Sequence, residues 1–132
     1  MPSIRILIVD DFDTMQKIIR NILLEQGYTN LTFATDGEKA VKILADEKID
    51  LIISDWNMPR MTGVELLKHV RKAPALAHIP FIMVTAEGEK ENILKAIQAK
   101  VDQYIIKPFT PEMLAQKIRN VLEKAEKIAR EK

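Results

Sequence analysis

The chain has 132 residues, with 20 Lys and Arg against 19 Asp and Glu, a formal net charge of +1 and 47% hydrophobic residues. That length suits one domain with a real core, the composition excludes a disordered chain, and the charge balance leaves no general basic field for nucleic acid or an anionic membrane. The absence of cysteine excludes disulfides, thiol nucleophiles and thiolate metal sites.

One Trp, two Tyr and four Phe are too few for a base-stacking platform. No apolar run reaches the roughly 18–20 residues of a membrane span, and the opening Met-Pro-Ser-Ile-Arg lacks the apolar stretch of a signal peptide. The expectation is a single cytoplasmic domain over residues 1–132, with no nucleic acid and no membrane insertion.

In chain order, the first strand is predicted at Ile4–Val9 and runs into Asp10-Asp11. A helix follows, with Met15, Ile18, Ile19, Ile22 and Leu23 at i, i+3, i+4, i+7 and i+8. Asp13 is its predicted cap and Gln16 the capping-box partner. After Gly27 the second strand is placed at Leu31–Ala34. The third, Leu51–Ile53, continues through Ser54 into Asp55-Trp56-Asn57-Met58-Pro59. Gly63 and Pro80 punctuate the next connections, and the fourth strand, Phe81–Val84, leads into Thr85-Ala86-Glu87. In the fourth helix Leu94, Ile97 and Val101 form a predicted inward stripe, with Ile93 off its centre and exposed. The fifth strand, Tyr104–Ile106, ends in Lys107-Pro108. Thr110 caps the last helix, with Pro111 at its first position. Leu114, Ile118, Val121, Leu122 and Ala125 give that helix its stripe, and Ile128 and Ala129 extend it into a charged tail. His69 and His78 read as surface residues.

Strands and helices alternating five times indicate an α/β domain with a parallel sheet, and continuously apolar strands indicate burial on both faces. In open α/β sheets of order 2-1-3-4-5, ligands bind at the carboxyl ends of the strands, between strands one and three. Asp10, Asp11 and Asp55 are then expected to converge, with Thr85 and Lys107 arriving from the next strands. Three carboxylates in one cleft raise each other's pKa unless a cation sits among them. Oxygen-only ligands favour a hard cation, and Mg²⁺ suits a few carboxylates with room for phosphate oxygens. A carboxylate nucleophile, Mg²⁺, a lysine and a hydroxyl are the parts that phosphoryl transfer needs.

These residues carry a family resemblance across essentially the whole chain. Val9-Asp10-Asp11-Phe12, Ser54 through Pro59, Met83-Val84-Thr85-Ala86-Glu87, Lys90-Glu91-Asn92-Ile93 and Tyr104 through Thr110 resemble the receiver domain of two-component response regulators, of the stand-alone chemotaxis type. The resemblance implies a (βα)5 flavodoxin-like fold, a five-stranded parallel sheet of order 2-1-3-4-5 with helices on both faces. It implies that Asp55 accepts a phosphoryl group from a CheA-like histidine kinase, and that Asp10, Asp11, Asp55 and the Asn57 carbonyl hold Mg²⁺. It further implies that Lys107 binds a phosphoryl oxygen, and that Thr85 shifts toward that group with Tyr104 following from an exposed to a buried position. Asn57 and Glu87 are expected to tune hydrolysis, with slow self-dephosphorylation, and the Lys107–Pro108 bond to be cis. Lys90, Ile93, Tyr104 and Lys117 form the implied docking face for a FliM-like flagellar motor switch protein. A phosphatase is a further candidate partner, and a monomer is expected. Trp56, read as a surface aromatic beside the acceptor, offers a fluorescence reporter.

The chain departs from the family pattern in two places. Ala99-Lys100-Val101 stands where the family often has Ala-Gly-Ala, so a left-handed Lys100 would cost roughly 1 kcal/mol or the helix must end differently. Thr62 replaces a commonly acidic residue before Gly63. Three other functions share part of this pattern. Asp11-Phe12-Asp13-Thr14 resembles the motif of haloacid-dehalogenase-type phosphatases, but no acidic group follows Lys107 before Glu112. A flavodoxin-like electron carrier needs a Ser/Thr/Gly-rich phosphate loop where Asp10-Asp11 would repel phosphate. A stand-alone phosphorelay receiver, passing its phosphoryl group to a histidine phosphotransferase, shares all of the site residues.

Overall fold

The structure, a computed structural model, describes residues 4–86 and 90–131. Its elements alternate as β1 (Arg5–Val9), α1 (Asp13–Glu25), β2 (Asn30–Ala34), α2 (Gly37–Asp46), β3 (Leu51–Asp55), α3 (Gly63–Lys72), β4 (Phe81–Ala86), α4 (Lys90–Gln98), β5 (Gln103–Lys107) and α5 (Pro111–Glu131). The strands pair in parallel in the order β2-β1-β3-β4-β5. This is the predicted order, with strand ends moved by one or two residues.

The period of two along each strand divides the core into two layers. Leu7, Val9, Ile52, Phe81 and Met83 pack with Ala40, Leu44, Leu66, Leu67 and Val70 on the side of α2, α3 and α4. Ile6, Ile8, Leu51, Ile53, Ile82 and Val84 pack with Ile19, Leu23, Leu114 and Ile118 on the side of α1 and α5. Burial on both faces is what the continuous apolar runs of β1, β3 and β4 require.

Helix starts follow side-chain chemistry, with one correction. Asp13 does not cap α1. The cap is Phe12 in extended backbone, with no side-chain cap bond. The Asp10 carboxylate takes the Phe12 N–H instead, at 2.9 Å. Gln16, the expected capping-box partner, donates from Nε2 to the carbonyls of Asp10 at 2.7 Å and Ala34 at 3.2 Å. Thr110 does cap α5, accepting from the Met113 N–H at 3.2 Å. The charged tail continues α5 to Glu131, although Ile128 stands 46% exposed, so the apolar stripe outruns the sheet it packs on.

The inward stripe predicted for α4 is also corrected. Leu94 and Ile97 face outward, 61% and 55% exposed, while Ala96 is fully buried. Ile93 is half-buried rather than exposed, and Ala99 and Val101 are partly buried against the core. A small residue at the contact lets the helix lie close on the sheet, and the row through Ile93, Ala96 and Ala99 serves that purpose better than a row of larger residues. The helix then ends through Lys100 at φ 69°. The Lys100 N–H donates to the Ile97 carbonyl and the Val101 N–H to the Ala96 carbonyl, both at 3.0 Å. That pairing is a Schellman cap with lysine in the left-handed position that glycine ordinarily fills.

Candidate functional site

The register levels the strand ends. Val9 pairs with Ser54, Asp55 with Val84, and Ala86 with Lys107. Asp10, one residue beyond Val9, therefore comes level with Asp55, and Thr85 follows on the neighbouring strand. One carboxylate oxygen from each of Asp10, Asp11 and Asp55 lies within 4.8 Å of the others. Asp10 and Asp55 are 1% and 4% exposed. Asp11 faces solvent, leaving an entry to the cluster.

Each buried carboxylate has an assigned partner. Asp55 Oδ1 accepts from Lys107 Nζ at 3.1 Å and from the Trp56 N–H at 2.9 Å. Asp10 Oδ1 accepts from the Phe12 N–H, and the Asp10 N–H donates to the Ala34 carbonyl at 3.0 Å. Burial pushes the Asp10 carboxyl up to about 6, with Asp55 and Asp11 adding to the shift against the Phe12 N–H and Lys107. Burial likewise raises Asp55, opposed chiefly by the Lys107 ammonium. One ammonium thus faces three carboxylates. All-oxygen donors, excess negative charge and an open side fit a hard divalent cation. Asp10, Asp11 and Asp55 are the residues that could hold it.

Thr85 is fully buried. Its Oγ1 is the buried side-chain polar atom, among the described residues, that has no hydrogen-bond partner. A hydroxyl left orphaned inside a protein costs free energy unless a ligand completes it. The register sets Thr85 one residue past Val84, the partner of Asp55, and one before Ala86, the partner of Lys107, so a free hydroxyl stands on the strand between them.

Other expected positions are distributed as follows. The Lys107–Pro108 bond is cis. Asn57 is exposed just beyond Trp56, and Glu87 lies outside the described residues. Trp56 is not a surface aromatic: it is 7% exposed and packs in the α2–α4 layer. Tyr104 is half-buried rather than exposed and packs at the edge of that layer. Lys117 Nζ lies 5.6 Å from the centre of its ring and donates to Gln103 Oε1 at 3.1 Å. Lys90 is exposed on α4. His69 is half-buried and His78 exposed, both outside the acidic cluster.

Three supports of the site lie outside the predicted set. A Cβ at Gly63 would collide with the Asp55 carbonyl and stand 2.8 Å from Met83 Sδ, so α3 can start this close to the end of β3 only on glycine. Thr62, taken only as a missing charge, forms a capping box with Glu65. The signature Thr-x-x-Glu is visible in the sequence. Asp36, 2% exposed, caps α2 by accepting from the Lys39 N–H at 2.9 Å. It also pairs with Arg60 at 2.9 Å, tying the loop after β3 to the loop after β2.

The profile of the response regulator receiver domain family matches residues 6–119. The chemotaxis protein CheY of Pseudomonas aeruginosa is 47% identical over 120 residues, 91% of this chain and 97% of that protein. Among solved structures, the chemotaxis response regulator CheY4 of Vibrio cholerae superposes with a TM-score of 0.82 at 32% identity, covering 89% of this chain and 98% of that one. The receiver domain of a sensor histidine kinase from Pseudomonas aeruginosa, crystallised with magnesium coordinated in its active-site cleft, has a TM-score of 0.82 at 26% identity, covering 90% of this chain and 97% of that one.

Proposed function

The chain belongs to the response regulator receiver family, whose members are phosphorylation-dependent switches, and we propose on that premise that Asp55 is its phospho-acceptor. A carboxylate oxygen of Asp55 attacks the phosphorus of a phosphohistidine on a CheA-like kinase. The P–O bond forms as the P–N bond breaks, and the electron pair leaves on the imidazole nitrogen, which takes up a proton. We assign Mg²⁺ to Asp10, Asp11, Asp55 and the Asn57 carbonyl; when bound, it neutralises charge on the acceptor and on the phosphoryl oxygens. Lys107 holds Asp55 before transfer and pairs with a phosphoryl oxygen afterwards. Thr85 donates its hydroxyl to another, and Tyr104 follows it inward. We assign tuning of the phosphoryl lifetime to Asn57 and to Glu87, the latter outside the described residues.

The observation that carries this reading is the Lys107–Asp55 pair at 3.1 Å within the three-carboxylate cluster, and the buried, unpartnered hydroxyl of Thr85 on the neighbouring strand supports it. The magnesium named for the related histidine-kinase receiver supports the choice of cation. The identity to CheY supports a chemotaxis output, in which the face of Lys90, Ile93, Tyr104 and Lys117 docks on a FliM-like motor switch protein. The reading takes residues 1–132 as one monomeric receiver domain in the cytoplasm, with a phosphatase as a further partner.

Trp56 reports on the test, since it follows Asp55 in the chain and its backbone N–H donates to the Asp55 carboxylate. Millimolar Mg²⁺ is expected to change its fluorescence, and beryllofluoride or a small phosphodonor to change it again only with Mg²⁺ present. A phosphodonor response that persists in Asp55→Asn overturns the acceptor assignment. Binding of the phosphorylated chain to a motor-switch peptide supports chemotaxis. Transfer from Asp55 to a histidine phosphotransferase without such binding makes the chain a phosphorelay receiver instead.

A further inference from the structure

Far from the acidic cluster, the C-terminal turns of α3 and α4 enclose an open pocket of about 540 Å³. Five cationic side chains line it, Lys68, Arg71, Lys72, Lys95 and Lys100, and no carboxylate does. In a chain with 19 acidic residues this is a marked local excess of one sign. Lys68 shares its charge with Glu65 one turn back on α3. Lys72, Lys95 and Lys100 make no ion pair among the described residues.

Helix-end lysines have an ordinary explanation, because cations suit the negative end of a helix. That explanation covers Lys72 and Lys95. It does not cover Lys100, which lies past the end of α4 in the left-handed region, at φ 69°. Glycine there would be free of strain, and a strained backbone held in place by its surroundings points to a role for the side chain.

The surroundings do hold it. Arg71 donates from Nε to the Lys100 carbonyl at 2.9 Å. It also donates to the carbonyls of Ile79 at 2.7 Å and Ala77 at 3.1 Å, and pairs with Asp102 at 2.7 Å. With the two cap bonds of α4, this brace fixes the backbone that presents Lys100 before any ligand arrives. Four of the five guanidinium N–H donors are engaged in it, so lysines are left to meet the ligand.

We propose that this pocket binds a small polyphosphate anion. Its volume is that of a small-molecule site. Lysine ammoniums bind phosphate oxygens as point charges, whereas planar recognition of carboxylates favours an arginine fork, which is committed here. No aromatic side chain lines the pocket, so it offers nothing for a nucleobase to stack on. Phosphate groups in a short chain match three separated, unpaired ammoniums.

The test is calorimetric titration of sodium tripolyphosphate into the full chain, in EDTA and at low salt, with backbone NMR to locate the site. Without a divalent cation Asp10, Asp11 and Asp55 repel the anion, so binding there does not contribute. Saturable binding is expected, with shifts at Lys72, Lys95, Ala99 and Lys100, and it should weaken as salt rises. Lys100→Gly and Lys95→Gln should each weaken it about fivefold, the effect of losing one well-placed charge contact. Lys100→Gly should at the same time raise the melting temperature, because it relieves the left-handed lysine. A merely structural Lys100 would not give that pair of opposite changes. Absence of binding at millimolar tripolyphosphate overturns the site, as does unchanged affinity in Lys100→Gly. Equal affinity for a short poly-glutamate peptide overturns the phosphate assignment in favour of an acidic protein segment. None of these outcomes depends on the Trp56 response to phosphodonors, so the two readings fail separately.

Discussion

Asp10 is where the electrostatics of the site are most exposed to test. Its carboxyl lies at about 6 in the fold against 3.8 for the free group, because burial penalises its charged form. The folded state therefore holds a proton that the unfolded state has lost, between those two values. The contribution of Asp10 to stability falls as pH rises through that window and is lowest above it. Asp55 is raised for the same reason and adds in the same direction. In EDTA at pH 7.5, Asp10→Asn should thus stabilise the fold by about 2 kcal/mol and flatten the decline in stability above pH 4, as read by thermal unfolding. The wild-type chain should recover much of this loss on adding a divalent cation, and less of it below pH 6, where proton and metal compete for Asp10. Asp10, Asp11, Asp55, Thr85 and Lys107 stand out in the sequence because each lies at or just beyond the end of an apolar strand. Asp36 and Gly63 were not assigned roles, because their importance lies in what stands opposite them: Arg60 in one case, the Asp55 carbonyl in the other.

Among the elements, α3 and α4 show what periodicity can and cannot decide. The start of α3 rests on a two-way exchange. The Thr62 hydroxyl accepts from the Glu65 N–H at 3.3 Å, and the Glu65 carboxylate accepts from the Thr62 N–H at 3.0 Å. Thr62→Ala should cost about 1 kcal/mol in urea unfolding, and, since α3 begins directly beyond the loop that follows Asp55, it tests how far that loop depends on its cap. For α4 the apolar residues fall on two adjacent rows. Counting hydrophobicity selected Leu94, Ile97 and Val101, whereas packing selected the row centred on Ala96. Leu94→Ser should therefore change stability by no more than about 0.5 kcal/mol. Ala96→Leu, which must force a larger side chain against β4, should cost about 1–3 kcal/mol. The reverse result would restore the original orientation. Leu94 and Ile97 are instead part of the exposed surface beside Ile93 and Lys90.

On the scale of the molecule, a net charge of +1 conceals a separation of charge. Three carboxylates meet at the carboxyl ends of the strands, and five cations line the pocket between α3 and α4. Composition excluded a general polyanion-binding surface and still does, but it says nothing of a local one. The fold class, sheet order and two-sided core were legible because parallel strands buried on both faces leave an unmistakable run of apolar residues. The acidic end was legible too, but the basic end was not, because it arises from residues far apart in sequence that only the topology brings together: Lys68, Arg71 and Lys72 on one helix, Lys95 and Lys100 at the end of the next.

The division of the sheet into two layers has a directional consequence. Along β4, Phe81 and Met83 point to the layer of α2, α3 and α4, while Ile82 and Val84 point to the layer of α1 and α5. Continuing that alternation assigns Thr85 to the first layer, the one against which Tyr104 also packs. Asp55, two residues beyond Ile53, and Lys107, two beyond Ile105, follow the alternation of the second layer. The pleat thus acts as a one-way partition. The proposed acceptor and its lysine are in step with one side of the sheet, and the Thr85 hydroxyl is in step with the other. On the proposed reading, a phosphoryl group at Asp55 would act on the α4 side through Thr85, and a single inserted residue in β4 would turn that hydroxyl to the side of α1 and α5.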